Sequence, residues 1–342
     1  MPYIQIFLIF IVLSGITSCR KDKMPTPEDI APIGIGGDYC PEMYYERSEA
    51  YPDTFYKTND ADMNCVVGSE SVYMENYVYN RPILNPNNAF EFAFIRDKPY
   101  ELISEPELCI YNFCDNTTKI LTDKVFYGFD WSVKDWIIFT GEDLQLYKIK
   151  SNGDSLTKLT NTGSWNDYAR WSPNGTRYLY ADASNNSNSI TISSESGQIL
   201  KTFDLLMSSW AWLNENEIIY SNQGNTELRK YNIETETIST IAFETGVGPS
   251  GDRITVDDYG NIYTTSDAGL VLANQSGNIE VIDSNYVTYS SGYPQYLTDD
   301  KILLQRFIND TTYFEDCEAH YATYISIFDK STGNERRIKI AE

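Results

Sequence analysis

A short segment recurs along this chain at nearly constant spacing. Its clearest copy is WSPNGTRYLYA, which begins at Trp171. Relatives begin at Leu84 (LNPNNAFEFA), Trp131 (WSVKDWIIFT) and Trp212 (WLNENEIIYS), and weaker ones at Val256 (VDDYGNIYTT) and Tyr296 (YLTDDKILLQ). Successive copies start 47, 40, 41, 44 and 40 residues apart. Each has the same physical content. An aromatic or large apolar residue closes one strand, a turn of Ser, Asn, Pro, Asp or Gly follows, and an alternating apolar strand comes next. A strand-built period of about 40–45 residues is the spacing of a propeller blade.

Each block holds enough strand-like pieces for one small sheet. After Trp171 these are Arg177 to Ala181, Ser189 to Ser193 and Ile199 to Phe203; after Trp212 they are Glu217 to Tyr220, Glu227 to Ile233 and Thr237 to Ile241. Four strands make a twisted antiparallel sheet with two apolar faces, which is barely stable alone. Six of them stacked radially cover those faces. The expected fold is therefore all-β: a six-bladed β-propeller of four-stranded antiparallel sheets over residues 77–342, with an irregular N-terminal extension over residues 39–76. Trp131, Trp171 and Trp212 should be structural residues between blades. The last block, ending near Ile340, holds its own four strands, so ring closure needs no strand from the N-terminus, and the extension is free to clasp the junction of first and last blades.

The same residues carry a family resemblance. WSPNG, followed by a strand ending in apolar-aromatic-Ala, resembles the repeat of TolB-like six-bladed β-propellers over about residues 77–340. That family usually has Asp where this chain has Asn174. The resemblance implies a propeller that binds protein partners, including segments inserted into its channel.

Residues 1–19 contain no charged side chain, and the run IQIFLIFIVL from Ile4 to Leu13 is too short to span a bilayer as a helix. Small residues and a cysteine follow, the shape of a secretory signal. ITSC, Ile16 to Cys19, resembles a bacterial lipobox, although Lys and Arg are missing from the first five residues. The resemblance implies a lipoprotein signal peptide over residues 1–18 and acylation of Cys19; an ordinary signal peptide with an incidental cysteine is the alternative. Residues 19–38, charged and then glycine-rich, read as a flexible tether. Cysteine followed by RKDK resembles surface lipoproteins of Bacteroidetes-type bacteria. That implies a cell-envelope protein anchored to the outer membrane by its lipid, in either leaflet.

The formal net charge is −23. Binding phosphate backbones requires a basic surface, so nucleic acid is not an expected partner. Five cysteines follow Cys19 in a compartment that permits disulfides. Cys40–Cys65 is the preferred bridge. Cys109 and Cys114 stand at the ends of a strand-like stretch, and five extended residues span roughly 17 Å, beyond disulfide reach.

Catalysis finds little support. The chain has one histidine, His320, and no Gly-x-Ser-x-Gly elbow. No Cys-x-x-Cys pair is present, so no metal or other cofactor is expected. Asp60 to Asn64 opens like a calcium loop, but Cys65 and Ser71 occupy the positions of its glycine and final glutamate.

The inner strand of each blade leads into its anchor. Positions one and three before the anchors alternate with the packing positions. They read Arg81/Ile83, Gly128/Asp130, Tyr168/Arg170, Ser209/Ala211, Arg253/Thr255 and Tyr293/Gln295. The expected ligand site is a channel mouth formed by Arg81, Asp130, Tyr168, Arg170, Arg253, Tyr293 and Gln295, suited to an anionic segment because Arg donates paired hydrogen bonds to carboxylates. The competing reading is that Asp130 and other carboxylates already satisfy these arginines. By subtraction the chain reads as a non-catalytic binding or scaffold lipoprotein with a protein or peptide partner. The alternative is a carbohydrate-binding or carbohydrate-active propeller of an outer-membrane glycan-uptake system.

Overall fold

The structure, a computed structural model, describes residues 44–46, 78–97, 106–113, 117–182, 189–205, 207–222, 227–241, 254–266, 269–283, 289–298, 300–309, 321–338 and 340. The signal peptide, Cys19, the tether, Cys40, Cys65, Arg253 and His320 lie outside the described residues.

Among the described residues, the strands sort into six sheets that follow chain order. A short strand, β1 (Tyr44–Glu46), precedes them. Blade 1 is β2 (Val78–Asn85), β3 (Asn88–Asp97), β4 (Glu107–Asn112) and β5 (Thr117–Thr122). Blade 2 is β6 (Val125–Trp131), β7 (Trp136–Gly141), β8 (Leu146–Lys150) and β9 (Thr157–Lys158). Blade 3 is β10 (Asn166–Trp171), β11 (Arg177–Asp182), β12 (Ser189–Ser194) and β13 (Ile199–Phe203). Blade 4 is β14 (Met207–Asn214), β15 (Glu217–Asn222), β16 (Leu228–Asn232) and β17 (Ile238–Ile241). Blade 5 is β18 (Thr255–Val256), β19 (Ile262–Ser266), β20 (Gly269–Ala273) and β21 (Ile279–Asp283). Blade 6 is β22 (Tyr289–Thr298), β23 (Lys301–Asn309), β24 (Tyr321–Asp329) and β25 (Glu335–Ile338). Neighbouring strands within a blade are antiparallel. This is a six-bladed β-propeller.

The turn after each anchor shows why the repeat folds as it does. In blade 3 the Gly175 N–H donates to the Ser172 carbonyl at 2.8 Å, and Gly175 takes φ 65°. The Asn174 carboxamide oxygen accepts from the Thr176 N–H at 2.9 Å and the Thr176 hydroxyl at 2.6 Å. An Asp would accept the same bonds, so the departure at Asn174 costs the turn nothing. Blade 2 repeats the geometry with Asp135 at φ 62° and blade 5 with Gly260 at φ 78°. A Cβ on Gly175 would come within 3.2 Å of the Ser132 hydroxyl of blade 2. The glycine therefore serves both the left-handed turn and the close approach of two blades.

The apolar core is divided among the interfaces between blades, and each of six buried clusters draws on two adjacent blades. Ile83, Ala93 and Leu108 of blade 1 pack on Phe129, Trp131 and Ile137 of blade 2. Ile138 and Leu146 pack on Trp171, Tyr178 and Tyr180. Leu179, Ile190 and Ile192 pack on Trp210, Trp212 and Tyr220. Ala211, Ile219 and Leu228 meet Ile254 and Ile262, and Tyr263 and Leu270 meet Ile302 and Phe328. The ring closes where Phe92, Phe94, Tyr111 and Phe113 of blade 1 pack on Leu297, Leu303 and Ile325 of blade 6. Trp131, Trp171 and Trp212 are 5%, 5% and 7% exposed, sealed at equivalent positions between sheets.

Blade 6 supplies its own four strands, and β1 adds outside them, with Tyr44 opposite Ile338 and Glu46 opposite Arg336. Cys109 is a free, buried thiol on β4, and burial pushes its pKa up to about 12.

Candidate functional site

The first strand of each blade, β2, β6, β10, β14, β18 and β22, touches the first strands of the blades before and after it, so together they surround the axis. Hydrogen bonds stitch this ring at every interface. The Asn87 carboxamide donates to the Val133 carbonyl at 3.2 Å. The Trp171 N–H donates to Asp130 Oδ2 at 2.8 Å. The indoles of Trp210 and Trp212 donate to the carbonyls of Tyr168 and Arg170 at 3.1 and 3.0 Å. The Ile254 N–H donates to the Ser209 hydroxyl at 3.0 Å, and the Thr255 hydroxyl to the Pro294 carbonyl at 2.5 Å. At the seam, the Arg81 N–H donates to Gln305 Oε1 at 2.9 Å, and Gln305 Nε2 to Asn80 Oδ1 at 2.6 Å.

The strict alternation expected of the inner strands is interrupted. Their register with the second strand shifts between Asn80 and Ile83, between Asp167 and Arg170, and between Gly292 and Gln295. At each shift a residue three before the anchor sits at positive φ: Arg81 at 61°, Tyr168 at 55° and Tyr293 at 54°. An extra residue in a strand bends it and re-aims the side chain. Tyr168 turns into the interface and meets Trp210 edge-on, ring centroids 5.9 Å apart. The Arg81 guanidinium lies 5.1 Å over the Tyr293 ring, and these two residues are 8% and 3% exposed.

The strand ends with the anchors, so the anchor turns ring one mouth of the axis. A cavity of about 620 Å³ opens there, lined by residues of all six blades. Asp130, Arg170, Ala211, Thr255 and Gln295, each one residue before an anchor, line it. So do the anchors Trp131, Trp171, Trp212 and Val256, with turn residues such as Glu215, Asp257, Asp258 and Tyr259. Of the residues expected at the mouth, the fold thus brings Asp130, Arg170 and Gln295 onto the wall. Arg81, Tyr168 and Tyr293 are not among its lining residues, because of the bulges.

Arg170 is the cation of the wall. Its Nη1 donates to the Phe129 carbonyl at 3.0 Å and reaches Asp130 Oδ1 at 3.4 Å. Burial lowers the pKa of its guanidinium from the usual value, Asp130 and Tyr293 pull it back up, and Arg81 lowers it again. The last two effects place Arg81, Arg170 and Tyr293 within electrostatic reach of one another.

The rim is a feature that the inner-strand pattern did not include. Glu215, Asp257 and Asp258 occupy turn positions just beyond the anchors Trp212 and Val256. Asp257 accepts from the N–H groups of Tyr259 and Asn261 at 2.9 and 2.8 Å and from the Tyr263 hydroxyl at 3.2 Å. Glu215 accepts from the Asn174 N–H at 2.7 Å and pairs with Arg177 Nη2 at 3.2 Å. Tyr259 is 69% exposed. The signal for these residues was present in the repeat itself: if the anchor ends the inner strand, the residues that follow it must border the mouth. Among the described residues, no group of three or more His, Cys, Asp or Glu side chains is poised to hold a metal ion.

This architecture is similar to that of known propellers. A TolB-like protein from Agrobacterium tumefaciens superposes with a TM-score of 0.52 at 16% identity, over 66% of this chain and 86% of that one. The Pyrococcus horikoshii acylaminoacyl peptidase gives 0.51 at 12% identity, over 78% of this chain and 52% of the peptidase, so this chain matches about half of it. A gluconolactonase from Xanthomonas campestris gives 0.50 at 10% identity, over 67% and 83% of the two chains. At these identities the likeness is one of fold, and it joins the fold of a TolB-like protein to those of two enzymes. No protein-family model and no curated protein matches the sequence.

Proposed function

We propose that this protein is a non-catalytic binding protein of the cell envelope that receives its ligand in the axial cavity. The observation that carries this reading is the cavity wall itself, to which all six blades contribute while hydrogen bonds hold the inner strands in place. A concave site that is preformed in this way binds without the entropy loss of ordering loops. Residues 1–18 serve as the signal peptide, and acylated Cys19 anchors the domain by its tether to the outer membrane. The partner is a protein segment.

A carbohydrate is the second reading. Tyr259, exposed at the rim, offers a face on which the apolar side of a sugar ring stacks.

Thr255→Trp tests the site. It adds a large side chain to the wall of the cavity. Capture of envelope proteins by the purified domain, read by mass spectrometry beside a glycan array, should fall at least tenfold in Thr255→Trp but not in Thr255→Val, which loses the same hydrogen bond to the Pro294 carbonyl without filling the cavity. Unchanged capture of every partner and glycan would place binding elsewhere. In cells, Cys19→Ala should release the protein from the membrane fraction; a variant that still takes up lipid label refutes the anchor.

A further inference from the structure

Deep in the cavity, the charges are unevenly matched. A guanidinium carries five N–H donors in a fixed fork. Arg170 directs Nη1 at the Phe129 carbonyl and, at a long 3.4 Å, at Asp130. Among the described residues, its Nε and Nη2 nitrogens make no hydrogen bond. Asp130 meets the fork through one oxygen alone, while its second oxygen accepts from the Trp171 N–H at 2.8 Å. Asp167, the other nearby carboxylate, is turned to the Thr140 hydroxyl at 2.7 Å and the Tyr168 N–H at 2.6 Å. The guanidinium is thus buried, with 11% of its side chain exposed, on the wall of an open cavity.

Two further observations shape the reading. Arg81 lies close enough to disfavour the charge on Arg170, so a second cation is within electrostatic reach of the first. The bulges that place Arg81, Tyr168 and Tyr293 hold three non-glycine residues at positive φ. Backbone strain of this kind collects at ligand sites. At the rim, Glu215, Asp257 and Asp258 repel a polyanion.

We infer that the cavity binds a carboxylate at the tip of an otherwise neutral or cationic ligand, with the free edge of Arg170 as its anchor. The inference rests on the axial cavity being the ligand site. Arg170 supplies two parallel N–H groups through Nε and Nη2, the geometry that a carboxylate matches. The rim then selects against a second negative charge on the same ligand. The C-terminus of a peptide and a monouronic sugar both present this chemistry.

Four probes separate the sources: a hexapeptide pool with free C-termini, the same pool amidated, glucuronate, and glucose. Trp131, Trp171 and Trp212 line the cavity, so tryptophan fluorescence reports occupancy, with calorimetry for affinity. The free-acid peptides, or glucuronate, should bind at least tenfold more tightly than their neutral counterparts. Arg170→Gln should erase that ratio. Asp130→Asn, which removes the competing internal carboxylate but keeps an oxygen for the Trp171 N–H, should tighten acid binding several-fold. A merely structural Arg170–Asp130 pair predicts no gain from Asp130→Asn. Equal binding of acid and neutral probes, no binding of any probe, or acid binding unchanged in both variants overturns the inference. If Thr255→Trp abolishes partner capture while the acid preference is absent, the cavity stands and the carboxylate site alone falls.

Discussion

The interface between blades 3 and 4 and the interface between blades 4 and 5 solve the same packing problem with different residues. The first is aromatic: Trp210, Trp212, Tyr220 and Tyr231 pack with Leu179, Ile190 and Ile192, and Phe203 and Tyr168 press on the edge. Its two indoles also donate across the interface. The second is aliphatic, built from Ala211, Ile219, Leu228, Ile241, Ile254, Ile262 and Ala273, with one hydroxyl bridge from Ser209. The inner strand on its far side, β18, has two residues, against eight in β14. The lesson concerns what an anchor tryptophan does. It fills the interface, and its N–H also fixes the neighbouring inner strand through a carbonyl. Where Val256 replaces it, the strand is shorter and the turn from Asp257 to Gly260 becomes cavity wall. The blade least bound by aromatics is the one that gives most of its turn to the mouth.

Four substitutions probe that contrast, each read as the change in unfolding free energy by denaturant titration. Trp212→Ala should cost about 3–5 kcal/mol, since it empties a buried aromatic site and removes the cross-blade hydrogen bond. Next comes the opposite flank of blade 5, where Arg306 and Asp283 form a buried ion pair at 2.5 Å, side chains 3% and 4% exposed. Asp283→Ala removes the carboxylate from a buried guanidinium and should cost about 3–5 kcal/mol, at the lower end where Arg306 relaxes onto the Phe328 ring. Ser209→Ala removes the acceptor of the buried Ile254 N–H and should cost about 1–3 kcal/mol. Ile254→Val, within the aliphatic interface, should cost about 0.5–1.5 kcal/mol. If Ile254→Val matched Trp212→Ala, the aliphatic interface would be as specifically packed as the aromatic one, and the contrast would fail.

The blade count was readable because a turn and an anchor obey local rules. Ser172, Asn174 and Gly175 have one physical use in that order, and six copies at one spacing leave few folds to choose from. The channel was readable only in part. Asp130, Arg170 and Gln295 follow from alternation along a strand. The bulges do not, because left-handed backbone at Arg81, Tyr168 and Tyr293 is imposed by the ring and uses none of the residues that favour it locally. The rim carboxylates were hidden for a different reason: 49 acidic residues give no single one prominence until the turns are placed around the axis.

The seam between blades 6 and 1 also sets an order of assembly. The hydrogen bonds that stitch the inner ring at the other interfaces join residues 39 to 46 apart in sequence. Those across the seam join residues 224 and 225 apart. By loop-closure entropy alone, the longer separation costs roughly 1.5 kcal/mol more. Neighbouring blades therefore meet early, and the seam meets last, when little chain disorder remains to be lost. The same step runs first in reverse. Blade 6 brings its own four strands and takes β1 on its outer edge, so the two ends are held by that short fifth strand, by side-chain packing and by Gln305. The ring is a row of blades bent until its ends adhere, and the rate at which it opens is governed at this one junction.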